Sequence, residues 1–443
     1  MGWKGISVVV ILLLVGSSTS LSMIVIGFAT SPGQTLSETI FVDDNNTAGP
    51  WDGTLDHPYQ HIQDGVNNAS EENTVFVFSG YYYEQVSIRK TLNLIGENQN
   101  TTTISYWGNA ASNNIVLIAA ANIHVSHFTV VLSNGTCTAI QLNHANYSNV
   151  SFITIHSSWA IDIYKSNYNS IFNNDISTIN GGITLSNDQN QFNVIKGNHL
   201  TNAGNPDLIY NFGVVLGEGP RNNQIIGNYF TDCQDNAILS LSSYDNIIEK
   251  NLIIGNRSKV QSGMDFNWME TYPTAGNIVR DNVIKNCSSG GIATSTDYQT
   301  ITDNIIEYCG YGMSINSNYV TIKNNTIRDC KVGQDIWFSQ FPTILADNLY
   351  ENCHEGIEVW DCRSVTFTRN TFRNTTYAIS VYESFGNNFY RNNFENNKRD
   401  VIQADAHNHW LQNYWGGPRL LPKPIFGILS FIQFDWLPAQ QPN

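Results

Sequence analysis

An asparagine returns every 21 to 23 residues in the C-terminal half of the chain, at Asn282, Asn304, Asn325, Asn348, Asn370 and Asn392. Two places after each stands an apolar residue (Ile284, Ile306, Ile327, Tyr350, Phe372, Phe394), and four units then carry Cys287, Cys309, Cys330 or Cys353. The same rung continues upstream through Asn251, Asn228, Asn198 and Asn174, with steps of 23 to 31 where loops intrude. A period near 22 without helical patterning marks a solenoid whose repeat is one coil of short strands. Asparagine tolerates the left-handed backbone of a tight corner, and its amide can bond the identical amide of the next coil. Such ladders stabilise in-register strands about 4.8 Å apart. The expected fold is therefore all-β, a single parallel β-helix of roughly a dozen coils.

A solenoid grows by adding coils, so 443 residues can form one body. Charged residues make up only 13% of the chain, and the formal charge is -15. Neither nucleic acid nor an anionic membrane surface attracts such a protein. At the amino terminus Lys4 precedes an apolar run from Ile6 to Val15, and a second apolar patch spans Met23 to Ala29. Gly27 and Ala29 are spaced for signal-peptidase cleavage, while the two runs together could serve as an uncleaved anchor. Residues 1–29 are thus expected to export the chain, and membrane contact is expected only through that anchor. Four of the seven cysteines, Cys287, Cys309, Cys330 and Cys353, recur at one coil position beside apolar residues, which suits buried thiols rather than a disulfide framework.

Residues 30–72 hold a short strand at Thr39–Val42 and an amphipathic helix. Tyr59, Ile62, Val66 and Ala69 share one face of that helix, and Pro58 stands at its start. A helix before the first coil would cover the open end of the solenoid. Coils are expected over residues 73–412, with loops inserted at 202–212 and 255–275, and a Pro- and Trp-rich C-terminal cap over 413–443.

The opening FVDDNN…GTLDHPYQHIQDGVNNAS…TVFVFSGYYYEQVSIRKTLNLIGE resembles the first segment of pectin-lyase-like right-handed β-helix proteins. The repeats N-x-[IF]-x-x-[CNT] followed by G-[IM], and the NYWGG after the last coil, resemble the NosD-like periplasmic copper-binding β-helix proteins. This resemblance covers residues 40 to 420 and implies a right-handed solenoid outside the cytoplasm. It does not fix an activity, because the fold hosts lyases, hydrolases, epimerases, adhesins and carbohydrate-binding proteins. The polygalacturonase set (Asn-Thr-Asp, Asp-Asp, Gly-His-Gly, Arg-Ile-Lys) and the pectate-lyase Arg-x-Pro-x-x-Arg are missing. Asp405-Ala-His407-Asn is similar to the alginate-epimerase Asp-Pro-His-Asp but lacks its proline and second aspartate.

Aligning the coils on Gly291, Gly312, Gly333, Gly356 and Ala378 generates two outward columns. The first contains Asp265, Ala293, Ser314, Asp335, Glu358 and Ser380; the second contains Ser295, Asn316, Trp337, Trp360 and Tyr382. Carboxylates beside aromatic faces suit a sugar, which presents an apolar ring face edged by hydroxyls. The expected function is polysaccharide binding at Asp335, Glu358, Trp337, Trp360, Tyr382 and Asp265, by a monomer. The alternative is a polysaccharide lyase or glycoside hydrolase with Asp335 and Glu358 as the catalytic pair. Asp361 and Glu383 could contribute oxygen ligands to calcium. His407 and His409, on one side of a strand, are the candidate ligands for the copper that the NosD resemblance implies.

Overall fold

The computed structural model describes residues 38–107, 114–134, 137–202, 212–233, 235–256, 262–267, 276–428 and 432–443. The export segment at 1–29 lies outside these residues, as do Trp268 and Glu270 of the 255–275 insertion. No helix among the described residues is long and apolar enough to cross a membrane.

The described chain winds into a parallel β-solenoid of about 14 turns, slightly more than the dozen expected. A regular coil has three strands, as in Gly290–Thr294, Thr300–Thr302 and Ile305–Glu307. These pair in register with Tyr311–Ile315, Thr321–Lys323 and Thr326–Arg328 of the next coil. The inward positions form continuous columns of Ile, Val and Phe, with Ile284, Ile306, Ile327, Tyr350, Phe372 and Phe394 all buried in one of them. Toward the C-terminus these columns become aromatic and stack: Tyr350 on Phe372 at 5.1 Å, Phe372 on Phe394 at 5.3 Å, and Phe394 on Trp415 at 4.3 Å.

The asparagine ladder forms as expected, and each rung works the same way. The backbone N–H and Nδ2 of Asn304 both donate to Oδ1 of Asn325, each at 3.0 Å. The left-handed conformation, however, falls one residue earlier than expected, on Asp281, Asp303, Asn324, Asp347, Arg369 and Arg391. The corner residue turns the chain, and the asparagine after it points its amide inward. The ladder continues to Asn413 and ends on Asp435, whose Oδ2 accepts from the N–H and Nδ2 of Asn413 and from Nε1 of Trp415.

A second ladder runs five residues ahead of the first, through Asn169, Asn193, Asn223, Asn246 and Asn277. The glycines used to align the coils serve close approach rather than a special backbone angle. A Cβ on Gly312 would lie 2.3 Å from the carbonyl oxygen of Gly333, and one on Gly356 would lie 2.4 Å from that of Ala378. All seven cysteines are buried thiols.

The strand Thr39–Val42 pairs with Thr74–Val77 of the first full coil. The helix spans Ile62–Asn68 and buries Ile62 and Val66 against the strands beside it. It starts four residues after Pro58, so His61 rather than the proline precedes its first turn. The carboxylate of Glu84 accepts from the N–H groups of Ile62 and Gln63 at 2.8 and 2.9 Å and satisfies that turn. At the other end Lys423–Ile425 and Gln433–Asp435 pair antiparallel.

Candidate functional site

The first column assembles in the expected register. Asp265 pairs with Ala293, Ala293 with Ser314, Ser314 with Asp335, Asp335 with Glu358, and Glu358 with Ser380. The second column brings Trp337 beside Trp360 and Trp360 beside Tyr382. Three strand spacings, about 14 Å, separate Asp265 from Asp335, so Asp265 does not join the other carboxylates. Burial raises the pKa of Asp265 where it stands.

A third carboxylate enters the site that alternation alone did not reveal. In the strand Glu355–Trp360 both Gly356 and Ile357 are buried, so Glu355 and Glu358 face outward together. Glu355 sits between Val332 and Tyr377 in its own column. Its signal in the sequence is an acid just before the alignment glycine, at the point where strand alternation breaks.

The three acids share one field. Burial holds the Asp335 carboxyl above its usual range. The Asp335 side chain is 6% exposed; Nε1 of Trp337 donates to its Oδ2 at 3.0 Å, while its Oδ1 is buried without a hydrogen-bond partner. Burial, then the charge of Glu355 and a hydrogen bond shared with it, push Glu358 up to about 7. Oε2 of Glu355 is likewise buried and unpartnered. The phenols of Tyr311 and Tyr382 are raised by burial and then by the negative charges beside them. With Glu358 pushed up to about 7, its carboxyl can serve as donor or acceptor near neutral pH.

The aromatic column differs from a row of open platforms. Trp337 stacks on Trp360 at 5.5 Å with planes 13° apart, and Trp360 on Tyr382 at 4.3 Å and 26°. Both faces of Trp360 are therefore covered by its neighbours. A sugar ring could lie only against the outer faces of Trp337 and Tyr382, at the ends of the column.

The candidate metal ligands fall in two pairs. Asp361 and Glu383 occupy left-handed corner positions just past Trp360 and Tyr382. His407 and His409 are exposed on either side of buried Asn408. Among the described residues no group of three or more His, Cys, Asp or Glu side chains could hold a metal ion.

Residues 274–414 match the right-handed β-helix region family, and residues 209–327 match the family described as periplasmic copper-binding protein (NosD). No curated protein sequence matches the chain. Among solved structures, an exopolygalacturonase from Thermotoga maritima shares 11% identity over 76% of this chain and 91% of its own, with a TM-score of 0.48. The catalytic domain of an α-1,3-glucanase of glycoside hydrolase family 87, in complex with nigerose, shares 13% identity over 84% and 67%, with a TM-score of 0.44. PfbA, a surface adhesin of Streptococcus pneumoniae, shares 12% over 82% and 92%, with a TM-score of 0.42. The chain is a parallel β-solenoid, similar over residues 274–414 to the right-handed β-helix region family and over residues 209–327 to the NosD family.

Proposed function

We propose that this is an exported β-helix protein that binds a neutral polysaccharide across the sheet carrying Asp335, Glu355 and Glu358. The observation that carries this reading is the carboxyl cluster, with buried unpartnered oxygens on Asp335 and Glu355 and a Glu358 that titrates near 7. Sugar hydroxyls both donate and accept, and so satisfy such a set. A uronate polymer would meet like charge there. Export is supported by the apolar runs of residues 1–29 and by the match to a family described as periplasmic.

The test is binding of the full chain to soluble neutral glycans, compared with a Glu355→Gln/Glu358→Gln variant and a Trp337→Ala variant. Both variants should weaken binding with the thermal melt retained. Unchanged affinity in both would sink the assignment of this sheet.

A second reading is glycan cleavage with Glu358 as the acid, favoured by its pKa of about 7. Asp335 holds the paired position on the neighbouring strand, about 4.8 Å away along the backbone, near the carboxyl separation of retaining glycosidases. Under this reading Glu358→Gln abolishes oligosaccharide products, followed by mass spectrometry, while binding persists. For copper handling, the described residues offer the His407/His409 pair without a third ligand group.

A further inference from the structure

A different edge of the solenoid carries two aromatic stacks that the acid sheet does not use. Tyr147, Tyr168 and Phe192 stack at 4.9 Å per step. Tyr298, Tyr319 and Phe341 stack at 4.8 and 5.4 Å. All six rings are substantially exposed, from 37% for Tyr319 to 57% for Tyr147.

Strand register places both stacks at one coil corner, two residues before the strand that follows it. Tyr147, Tyr168, Phe192, Tyr298 and Tyr319 there have φ between 57° and 60°. The same left-handed conformation turns the chain at other coil corners, so what distinguishes this corner is its row of exposed rings.

The column is interrupted between the stacks. The three intervening coils carry Asn222, Asp245 and Gly276 at the same corner. The Phe192 and Tyr298 positions are four coil steps apart, about 19 Å. Each of these two rings therefore ends its stack, with no aromatic neighbour at the corner of the adjoining coil.

Polar groups line the interruption. Oδ1 of Asp245 lies 2.4 Å from where a Cβ on Gly276 would stand, so the carboxylate reaches over the glycine toward the coil of Tyr298. In the same interval the Arg221 guanidinium lies 5.4 Å from the centroid of the Tyr244 ring and hydrogen-bonds its hydroxyl. Arg221 and Asp245 offset one another in charge, so the interval selects neither an anion nor a cation.

We propose that this corner is a second saccharide site, binding a short stretch of neutral glycan between the open faces of Phe192 and Tyr298. Ring faces at the two ends and Arg221, Asn222 and Asp245 between them match what a pyranose chain offers, apolar faces edged by hydroxyls. The inference rests on the glycan-binding reading above but places the contact on other residues.

The test is affinity electrophoresis of the full chain in gels cast with dextran, galactomannan or polygalacturonate. Wild type is retarded in at least one neutral gel, and Phe192→Ala/Tyr298→Ala weakens that binding about tenfold. Gly276→Tyr should weaken it similarly, because a ring there continues the stack and covers Tyr298, although the aromatic count rises. A purely structural role for the stacks predicts no loss from Gly276→Tyr. A thermal melt checks folding, and should Gly276→Tyr misfold, the paired alanine variant decides.

If the corner variants bind as wild type while Glu355→Gln/Glu358→Gln does not, this inference falls and the acid-sheet reading stands. The reverse pattern overturns the acid sheet and keeps the corner. Absence of retardation in every neutral gel, or retardation in polygalacturonate alone, overturns the corner site.

Discussion

Replacing Asn304 by alanine tests the ladder at one rung. Asn304 is fully buried, and its Nδ2 donates to the carbonyls of Val279 and Thr302 at 2.9 Å each and to Oδ1 of Asn325 at 3.0 Å. Its Oδ1 accepts from the N–H and Nδ2 of Asn282, both at 3.0 Å. Asn304→Ala leaves those two donors without that acceptor, and Asn282 Nδ2 keeps only its bond to the Ile248 carbonyl. An unsatisfied buried group costs about 1–3 kcal/mol, so two of them cost about 2–6 kcal/mol. At roughly 2 °C per kcal/mol for a large domain, the melt should fall by about 4–12 °C.

Differential scanning calorimetry reads this shift against Asp303→Asn, a change at the exposed corner just before the rung. That control should stay within about 0.5 kcal/mol of wild type. If Asn304→Ala melts within about 2 °C of Asp303→Asn, the amides are incidental to stability and the argument fails.

Three further outcomes follow from the same geometry. Glu358 has a folded pKa of about 7 against an ordinary 4.5, so its contribution to stability is full below about 4.5 and is lost as pH rises through 7. Glu358→Gln should therefore melt with wild type at pH 4 and above it at pH 8; a lower melt at pH 8 would contradict the raised pKa. Gly312→Ala puts a methyl group 2.3 Å from the Gly333 oxygen and should cost about 1–3 kcal/mol, whereas Gly417→Ala, with nothing within 4 Å, should be near neutral by urea titration. Burial pushes the Cys362 thiol up to about 12, and hydrogen bonds to the stacked thiols beside them raise Cys309 and Cys353. Iodoacetamide at pH 8 should thus label these three only after denaturation, and rapid labelling of the native protein would show that the column is open.

The ladder was legible because every coil repeats one atomic geometry at one sequence interval. Its partner was legible in principle, since Asn169, Asn193, Asn223, Asn246 and Asn277 stand five residues before a first-ladder asparagine. Gln299, Val320, Thr343 and Val365 interrupt that second period before it resumes at Asn387 and Asn408, which hides it. The misplaced corner has a similar origin. Asn324 and Asn325 are adjacent, and only the backbone shows that the first turns and the second bonds. Simple alternation forward from Gly356 hides Glu355, because the paired burial of Gly356 and Ile357 brings the residue before the glycine to the face of Glu358.

The aromatic column carries the more general lesson. In a parallel in-register solenoid a repeated side chain meets its own copy about 4.8 Å away, close to the spacing at which flat rings stack. Trp337, Trp360 and Tyr382 accordingly cover one another, as do Tyr298, Tyr319 and Phe341. Repetition of an aromatic therefore consumes the faces that a ligand would need. The two proposed sites lie where the repeat breaks: at Asp335, whose column neighbour one coil earlier is only Ser314, and at Gly276, on whose side the ring of Tyr298 has no aromatic neighbour in the corner column. A search for function in such a chain is better directed at the coils that depart from the period than at those that keep it.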